Sequence, residues 1–207
     1  MDKGRIIMLN GASSSGKSTI ANSLQEIMDE PYLTIGLDKF FQLYNDAFPK
    51  RFNPPPIPRD ISLDEGYTLR DNCSIRNRSS STFHHFLAAF SLAGNNVIAD
   101  TVIDTEIVLK QCINILGEFP IVFVGVHCSL EELERREQER GNRKQGLAKR
   151  HYDRVHARTI YDIEVDTSNS SPKECAQKIK EDILANHEGY SSKALKQLRK
   201  KIVSTNN

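Results

Sequence analysis

The sequence predicts an α/β fold in which a five-stranded parallel sheet carries helices on both faces. Short apolar runs alternate about five times with longer segments whose apolar residues recur at helical spacing. The first predicted strand, 5–10, contains the apolar run 6–9 and leads through a Gly- and Ser-rich loop into a helix-like segment. The run 120–127 is almost entirely apolar, which is typical of a strand covered on both faces.

The first strand and the first helix enclose the most informative motif. Residues 11–18 read Gly-Ala-Ser-Ser-Ser-Gly-Lys-Ser, and a helical pattern follows to about Asp29. This is the G-x-x-x-x-G-K-[ST] pattern in its required setting between a strand and a helix. The glycines let backbone N–H groups turn inward around a phosphate, and the helix dipole points its positive end at the same place. We therefore expect a phosphate-binding loop, the P-loop of nucleotide-dependent enzymes.

This interpretation gives the loop residues specific roles. Lys17 would reach the β- and γ-phosphates of ATP, and the Ser18 hydroxyl would bind Mg²⁺. Backbone amides of the loop would hold the remaining phosphate oxygens. The expected nucleotide-binding residues of this segment are Gly11, Ala12, Ser13, Ser14, Ser15, Gly16, Lys17, Ser18 and Thr19.

The second predicted strand, 32–37, delivers Asp38 to its carboxyl end, the edge at which parallel sheets bind ligands. A carboxylate there could accept the proton of an attacking hydroxyl group, as in kinases. Asp38 is also suited to be the N-cap of the predicted helix 39–47, and the two roles are compatible. The carboxylate would lie next to the phosphate loop if strands one and two are neighbours.

The periodic pattern is lost between residues 49 and 81. Pro54-Pro55-Pro56 and Pro58 impose an extended backbone, and several arginines surround them. A connection of this length is typically either functional or disordered. We interpret 49–81 as an insertion on the acceptor side of the site, with a mobile surface segment as the alternative.

The remaining elements continue the alternation. After a helix at 82–93, the strand 96–100 ends at Asp100. An acid there commonly provides a second handle on Mg²⁺, although it could simply cap the strand. The pattern then predicts helices at 106–117, 130–140, 147–157 and 172–186, strands at 120–127 and 161–166, and a capping box from Ser129 to Glu132.

Three arginines mark a candidate lid at 136–146. Arg136 and Arg140 lie four residues apart on one helix face, and Arg143 follows in a Gly-flanked loop that could close. Converging guanidinium groups would stabilise charge on a transferring phosphoryl group. In the alternative interpretation, part of the cluster forms ordinary i,i+4 ion pairs on a solvated helix, such as Glu132 with Arg136.

Composition limits the function classes. A chain of 207 residues fits one domain, 1–186, and its net charge of +1 argues against a surface built wholly for nucleic acid or anionic membranes. No apolar run approaches the ~20 residues of a membrane span. The scattered cysteines and the immediate start of strand one predict a cytoplasmic protein without a secretory segment. The four cysteines are Cys73, Cys112, Cys128 and Cys175.

The basic tail 187–207 and the histidines receive modest interpretations. A narrow apolar stripe at Ala194, Leu195, Leu198 and Ile202 predicts a terminal helix docked on the domain. The alternative is a patch for RNA or an acidic partner. Without a third ligand or a nucleophile beside them, four histidines are expected at the surface or the core edge. These are His84, His85, His127 and His156.

Together the motifs resemble those of the chloramphenicol phosphotransferase family, which are small P-loop kinases. The matching segments are 7–18, 33–38, 97–100, 124–128, 136–143 and 161–167, so the resemblance spans about 5–180. It implies ATP-dependent transfer to a hydroxyl group of a small molecule. It also implies that Asp38 is the catalytic base, that Arg136, Arg140 and Arg143 form the lid, and that Thr167 and Ser168 lie by the adenine. The segment 45–82, which corresponds to acceptor contacts, is longer and richer in Pro and Arg than in the family.

Three functions follow, in order of preference. The first is an ATP- and Mg²⁺-dependent kinase that phosphorylates a small hydroxylated molecule, as in antibiotic modification. The second is a nucleoside, nucleotide or polynucleotide kinase whose Arg-rich insertion recognises an anionic acceptor. The third is an ATP-binding module without turnover whose basic tail engages RNA or protein. The intact set of phosphoryl-transfer residues favours the kinases.

Overall fold

The structure, a computed structural model, describes residues 2–47, 67–140, 146–185 and 192–205, without side chains at 67–77 and 202–205. Within these ranges five strands form one parallel sheet in the order β2-β3-β1-β4-β5. The strands are β1 (Ile6–Gly11), β2 (Tyr32–Gly36), β3 (Asn96–Thr101), β4 (Ile121–His127) and β5 (Ile163–Asp166). The predicted α/β fold with a five-stranded parallel sheet is confirmed.

Helices connect the strands and cover the sheet. In the described part of the chain they are α1 (Lys17–Ile27), α2 (Leu37–Ala47), α3 (Tyr67–Leu92), α4 (Glu106–Leu116), α5 (Leu130–Arg140), α6 (Leu147–Val155), α7 (Pro172–Ala185) and α8 (Lys193–Thr205). Most bounds differ from the predicted ones by one to three residues at an end. No helix in the described ranges has the length and apolar character that crossing a membrane would require.

Two apolar layers hold the sheet between the helices. Because successive side chains of a strand point to opposite faces, Ile6 and Met8 enter one layer while Ile7 and Leu9 enter the other. The first layer receives side chains of α3, α4 and α8, and the second receives those of α1 and α7. The sheet is therefore buried on both faces, which explains why its strands read as continuous apolar runs.

The terminal helix packs on the domain as predicted, and the described cysteines lie in the interior. Leu195 and Leu198 of α8 are buried in the first apolar layer, so the helix is docked by its apolar stripe. The thiols of Cys112, Cys128 and Cys175 are free and buried. The side chain of Cys73 lies outside the described residues.

The prediction of an irregular segment from 49 to 81 is wrong for its second half. Helix α3 begins at Tyr67, far ahead of the predicted start at 82. The prolines that break the pattern all lie before this point, and no Gly or Pro occurs between Tyr67 and Ala93. Polar residues such as the buried Ser79 and Ser80 mask the helical periodicity in the sequence. The rest of the insertion, 48–66, lies outside the described residues.

The sheet order corrects the condition attached to Asp38. Strand β2 does not neighbour β1, because β3 lies between them, and Asp100 is in register with Leu9 on one side and Gly36 on the other. Asp100 therefore lies beside the end of β1, while the end of β2 is one strand farther out. All three strands still end at the same edge of the sheet, where the loops of the candidate site meet.

Candidate active site

A cleft of about 480 Å³ opens at the carboxyl edge of the sheet. It brings together most of the predicted site residues from five separate parts of the chain. The cleft is lined by Ser13, Ser14, Gly16, Lys17, Ser18 and Thr19 of the loop and α1, by Asp38 and Asp100, by Arg136 and Arg140, and by Thr167. The sequence motifs thus converge in space, as a site for phosphoryl transfer requires.

The backbone of the phosphate loop has the shape of an anion cradle. Ser14 and Gly16 both lie in the left-handed region, with φ values of 67° and 84°. Such a conformation is costly for a serine and is typical of loops whose successive N–H groups turn toward one centre. The hydroxyl oxygens of Ser14 and Ser15 are buried without a hydrogen-bond partner among the described residues. Phosphate oxygens would satisfy these groups, so the loop fits a nucleoside triphosphate.

Lys17 is held at the floor of the cleft. Its side chain is only 6% exposed, its Nζ donates a hydrogen bond of 2.7 Å to the Ala12 carbonyl, and the Asp100 carboxylate lies 3.7 Å away. A buried ammonium group needs such partners because desolvation is costly. The charge is therefore fixed where the loop amides converge, rather than on a mobile surface side chain.

Ser18 and Asp100 form a pair of oxygen ligands. The Ser18 hydroxyl donates a hydrogen bond of 2.5 Å to Asp100 Oδ2, which joins the first turn of α1 to the end of β3. A hydroxyl and a single carboxylate suit Mg²⁺, which keeps several waters and binds substrate phosphates rather than an all-protein cage. The described residues contain no group of three or more His, Cys, Asp or Glu placed to hold a metal.

Asp38 lies in the first turn of α2 and lines the same cleft. The helix begins at Leu37, so the predicted N-cap position of Asp38 is wrong, because the strand ends one residue earlier than the pattern suggested. An acid in the first turn is still favoured by the helix dipole. Asp38 is exposed to the cleft that also contains Lys17, and this position is compatible with the predicted role as a base.

Arg136 is fixed by several hydrogen bonds. Its Nε donates to Glu132 at 2.7 Å, and its two terminal nitrogens donate to the Thr167 hydroxyl at 3.2 Å and the Thr167 carbonyl at 2.8 Å. The Glu132 pair predicted from the i,i+4 spacing therefore exists, and the same guanidinium group also lines the cleft. Arg140 lines the cleft from the end of α5, whereas Arg143 lies outside the described residues.

The segment after β5 joins the phosphate loop to α5. The Thr167 hydroxyl lies 3.0 Å from the Ser15 carbonyl and 3.2 Å from the His127 carbonyl. Ser168 accepts a hydrogen bond of 2.7 Å from the backbone N–H of Ser129. That N–H is therefore not bound by Glu132, so only the Ser129 half of the predicted capping box forms, at 3.3 Å.

Of the four histidines considered in the sequence, His127 and His156 lie near the edge of the core and His85 is exposed, as predicted, whereas His84 is buried. The rings of His127 and His156 stack with centroids 4.1 Å apart. His127 is 2.7 Å from Glu164, and His156 is 2.7 Å from the Tyr161 hydroxyl. Burial lowers the pKa of His156 to about 4. These contacts give His127 and His156 structural partners outside the cleft.

Two residues with clear roles escaped the sequence analysis. The carboxylate of Glu137 is buried in α5 and accepts hydrogen bonds from the backbone N–H groups of Gly146 at 2.7 Å and Ala148 at 2.9 Å. His151 of α6 accepts a hydrogen bond of 3.3 Å at Nδ1 from the Ser13 N–H of the phosphate loop. Both side chains bind backbone N–H groups outside their own helix turn, so no regular spacing of residue types in the sequence could have indicated these contacts.

Comparison with known proteins places these features in context. The chain matches the chloramphenicol phosphotransferase-like protein family over residues 4–184. It is 32% identical over 214 residues to proteins of two strains of Mycobacterium tuberculosis, CDC 1551 and H37Rv, whose provisional name is O-phosphotransferase. The alignments cover 99% of this chain and 92% of the relatives.

Solved kinase structures share the fold at low sequence identity. The Mycobacterium tuberculosis APS kinase in complex with AMPPNP and APS matches with a TM-score of 0.63 at 13% identity, covering 89% of this chain and 99% of the other. The shikimate kinase of Acinetobacter baumannii with bound shikimate matches with a TM-score of 0.58 at 14% identity, covering 89% and 96%. The sheet and its helices are thus those of P-loop kinases.

Proposed function

Because this chain belongs to the chloramphenicol phosphotransferase-like family, we propose that it transfers the γ-phosphoryl group of ATP to a hydroxyl group of a small molecule. The family and the kinase fold establish a kinase-type phosphotransferase. The identity of the nucleotide, the metal and the acceptor class belong to the proposal. Chloramphenicol itself is the first acceptor to test, and antibiotic modification is the role that such activity would serve.

One observation carries the proposal: a single cleft contains Lys17, Asp38 and the Ser18–Asp100 pair. These groups come from the phosphate loop, α2 and β3, so their meeting is a property of the fold rather than of one sequence motif. A nucleotide-binding module without turnover would need the loop and the metal pair but no carboxylate at the position of Asp38.

Each group has a defined task in the proposed reaction. The loop amides and Lys17 would hold the triphosphate, and Ser18 with Asp100 would hold Mg²⁺, which would neutralise phosphate charge. Asp38 accepts the proton of the acceptor hydroxyl while the oxygen of that hydroxyl forms a bond to the γ-phosphorus. The bond from that phosphorus to the bridging oxygen breaks, ADP leaves, and Asp38 releases the proton to solvent. Arg140 would stabilise charge on the transferring group.

The described lining supports an uncharged acceptor. Leu37, next to Asp38, and Val102, beyond the end of β3, contribute apolar surface to the cleft. An anionic acceptor would require cationic groups in addition to Lys17 and Arg140, which line the same cleft and are assigned here to the triphosphate. Arg51 and Arg59, the insertion arginines nearest the proline run, lie outside the described residues. We therefore propose a neutral hydroxylated compound, with nucleosides and tRNA as the competing acceptors.

A screen for ADP release tests the proposed reaction. The purified protein with ATP would be offered chloramphenicol, other hydroxylated antibiotics, nucleosides and tRNA, each with and without Mg²⁺. We expect turnover that requires both Mg²⁺ and a hydroxylated small molecule. Turnover on nucleosides or tRNA alone would favour the second function, and tight ATP binding without turnover on any acceptor would contradict a kinase.

The substitution Asp38→Asn tests the assigned base. We expect kcat to fall by at least about a hundredfold while the affinity for MgATP changes less than about threefold, because the amide cannot accept a proton but occupies the same space. Asp46→Asn is the matched control, since Asp46 is an exposed acid of the same helix that pairs with Gln42. Loss of both transfer and ATP binding, or of neither, would count against the role.

A further inference from the structure

Helix α6 packs directly against the outer side of the phosphate loop. Its buried Ala148 and Val155 belong to the same apolar cluster as Ala12 of the loop. The Val155 carbonyl accepts a hydrogen bond of 3.2 Å from the side chain of Asn10, the residue before the motif. The helix is therefore in contact with both the end of β1 and the first half of the loop.

His151 lies on the same face of α6 and adds a polar contact to the loop. Its Nδ1 accepts the Ser13 N–H at 3.3 Å, and Ser13 is itself only 2% exposed. A buried N–H without an acceptor would be costly. Burial lowers the pKa of His151 to about 4, so the imidazole is neutral at pH 7 and Nδ1 has a lone pair to offer. The ring thus supplies the acceptor that the loop backbone requires.

The surroundings of His151 place it near the reacting end of the cleft. The charged groups that act on the imidazole are the carboxylates of Asp104 and Asp38, the Lys17 ammonium group and the Arg150 guanidinium group. Lys17 would reach the β- and γ-phosphates, and Asp38 is the proposed base. Ser13, the loop residue that His151 binds, lines the same cleft as Lys17 and Asp38, so His151 contacts the loop on the side proposed to receive the γ-phosphoryl group.

We propose that His151 is a positioning residue for phosphoryl transfer, which holds the Ser13 end of the phosphate loop in the conformation that receives the γ-phosphoryl group. The inference rests on the proposed function, because it assigns the γ-phosphate to this end of the loop. His151 acts through the Ser13 N–H rather than by touching the reactants. Displacements of about 1 Å at a reacting centre can cost a hundredfold in rate, so support at this point matters for catalysis.

Two substitutions distinguish the effect of the hydrogen-bond acceptor atom from the effect of the volume of the ring. In His151→Asn the amide oxygen can take the place of Nδ1 and accept the Ser13 N–H. In His151→Leu the volume is largely kept, but the side chain at 151 has no hydrogen-bond acceptor. Tyr152→Leu is the matched control, because Tyr152 is the next residue of α6 and its side chain is exposed.

The readout is the ratio of two affinities, measured by calorimetry with Mg²⁺ for ADP and for a non-hydrolysable ATP analogue. His151→Leu should weaken binding of the analogue relative to ADP by about five- to tenfold, the range expected for one misplaced hydrogen bond. His151→Asn and Tyr152→Leu should keep the ratio within about twofold of the unsubstituted protein. Once a phosphoryl acceptor is identified, kcat should fall in His151→Leu more than in His151→Asn or Tyr152→Leu, whereas KM for that phosphoryl acceptor should not follow this order.

Each other outcome overturns the inference. An unchanged ratio in His151→Leu, even with a lower melting temperature, would mean that His151 only stabilises the fold. An equal loss in His151→Leu and His151→Asn would mean that the shape of the ring matters rather than its acceptor atom. Because the affinity ratio is measured without a phosphoryl acceptor, it can be obtained even if the protein phosphorylates nothing in the screen. Failure of the proposed function and failure of this inference therefore give different results.

Discussion

The contact between Glu137 and the start of α6 yields the sharpest stability prediction. Glu137 lies in α5, is only 6% exposed, and accepts hydrogen bonds from the N–H groups of Gly146 and Ala148 at the start of α6. The Glu137 carboxylate therefore caps the start of α6 from another helix. It satisfies two of the N–H groups that the start of a helix leaves unpaired. The substitution Glu137→Gln keeps the size of the side chain but removes the charge.

The expected loss of stability can be worked from this geometry. Hydrogen bonds to charged groups contribute about 1.5–3 kcal/mol each, so two give about 3–6 kcal/mol if both were lost completely. The glutamine carbonyl can still accept one of the two bonds, and Gly146 is exposed enough for water to replace part of the other. The remaining loss, including the interaction of the carboxylate with the helix dipole, is about 2–3 kcal/mol.

Urea unfolding followed by circular dichroism measures this change in the free energy of unfolding. Glu139→Gln is the matched control, because Glu139 is an exposed acid of the same helix that pairs with Arg135 at the surface. Removal of that exposed pair should cost less than about 0.5 kcal/mol. Hydrogen exchange at the Ala148 amide separates local opening of α6 from global loss, and it should be faster in Glu137→Gln alone.

A difference of less than about 0.5 kcal/mol between the two variants, together with unchanged exchange at Ala148, would refute the cap. Faster exchange without a change in global unfolding would instead show that α6 opens by itself. In that case the affinity for nucleotide should fall as well, because α6 supports the phosphate loop through Ala12 and Ser13.

Two further predictions concern positions in the interior of the protein, away from the cleft. Gly125→Ala should lower the free energy of unfolding by about 2 kcal/mol, because its Cβ would lie 2.5 Å from Cδ2 of Tyr161. Gly36→Ala, with nothing within 4 Å of the new Cβ, should not lower it, and equal losses would refute the clash. His84→Leu should leave stability at pH 7 unchanged or raise it by up to about 1 kcal/mol, since His84 Nδ1 is buried without a hydrogen-bond partner among the described residues. Burial, with a smaller effect of His85, lowers the pKa of His84 from 6.5 to about 4, so the unfolded chain binds a proton that the native ring excludes. Stability should therefore fall as the pH drops from 6.5 toward 4, and this fall should be smaller in His84→Leu; an identical pH profile would contradict this account.

The parts of the fold that the sequence predicted are those that depend on local physics. Alternation of apolar runs and helical stripes depends on neighbouring residues, as does the motif from Gly11 to Ser18. The order of the strands does not, because it depends on how each crossover packs on the finished sheet. This is why the carboxylate of Asp100 could be placed at a strand end, while its position between β1 and β2 could not.

The candidate site divides in the same way. Lys17 and Ser18 could be predicted as site residues because the motif depends on spacing within one loop, and the structure places both beside Asp100 in the cleft. Glu137 and His151 were missed because their partners are backbone N–H groups of other segments. A glutamate within an arginine-rich helix is indistinguishable in sequence from the solvated acids beside it, and only packing shows which one is buried.

Under the proposed function, the strand order would place the nucleotide-binding residues and the proposed base on different strands. Strands β1 and β3 are neighbours, so their ends supply the phosphate loop and Asp100, which meet through the Ser18 hydroxyl. The proposed base follows β2, which contacts β3 but not β1, and so belongs to an outer unit made of β2 and α2. The proline- and arginine-rich segment follows α2 directly in the sequence. We therefore predict that substitutions in that segment change the choice of acceptor more than the affinity for nucleotide, because the hydrogen bonds that hold the phosphate loop come from other elements.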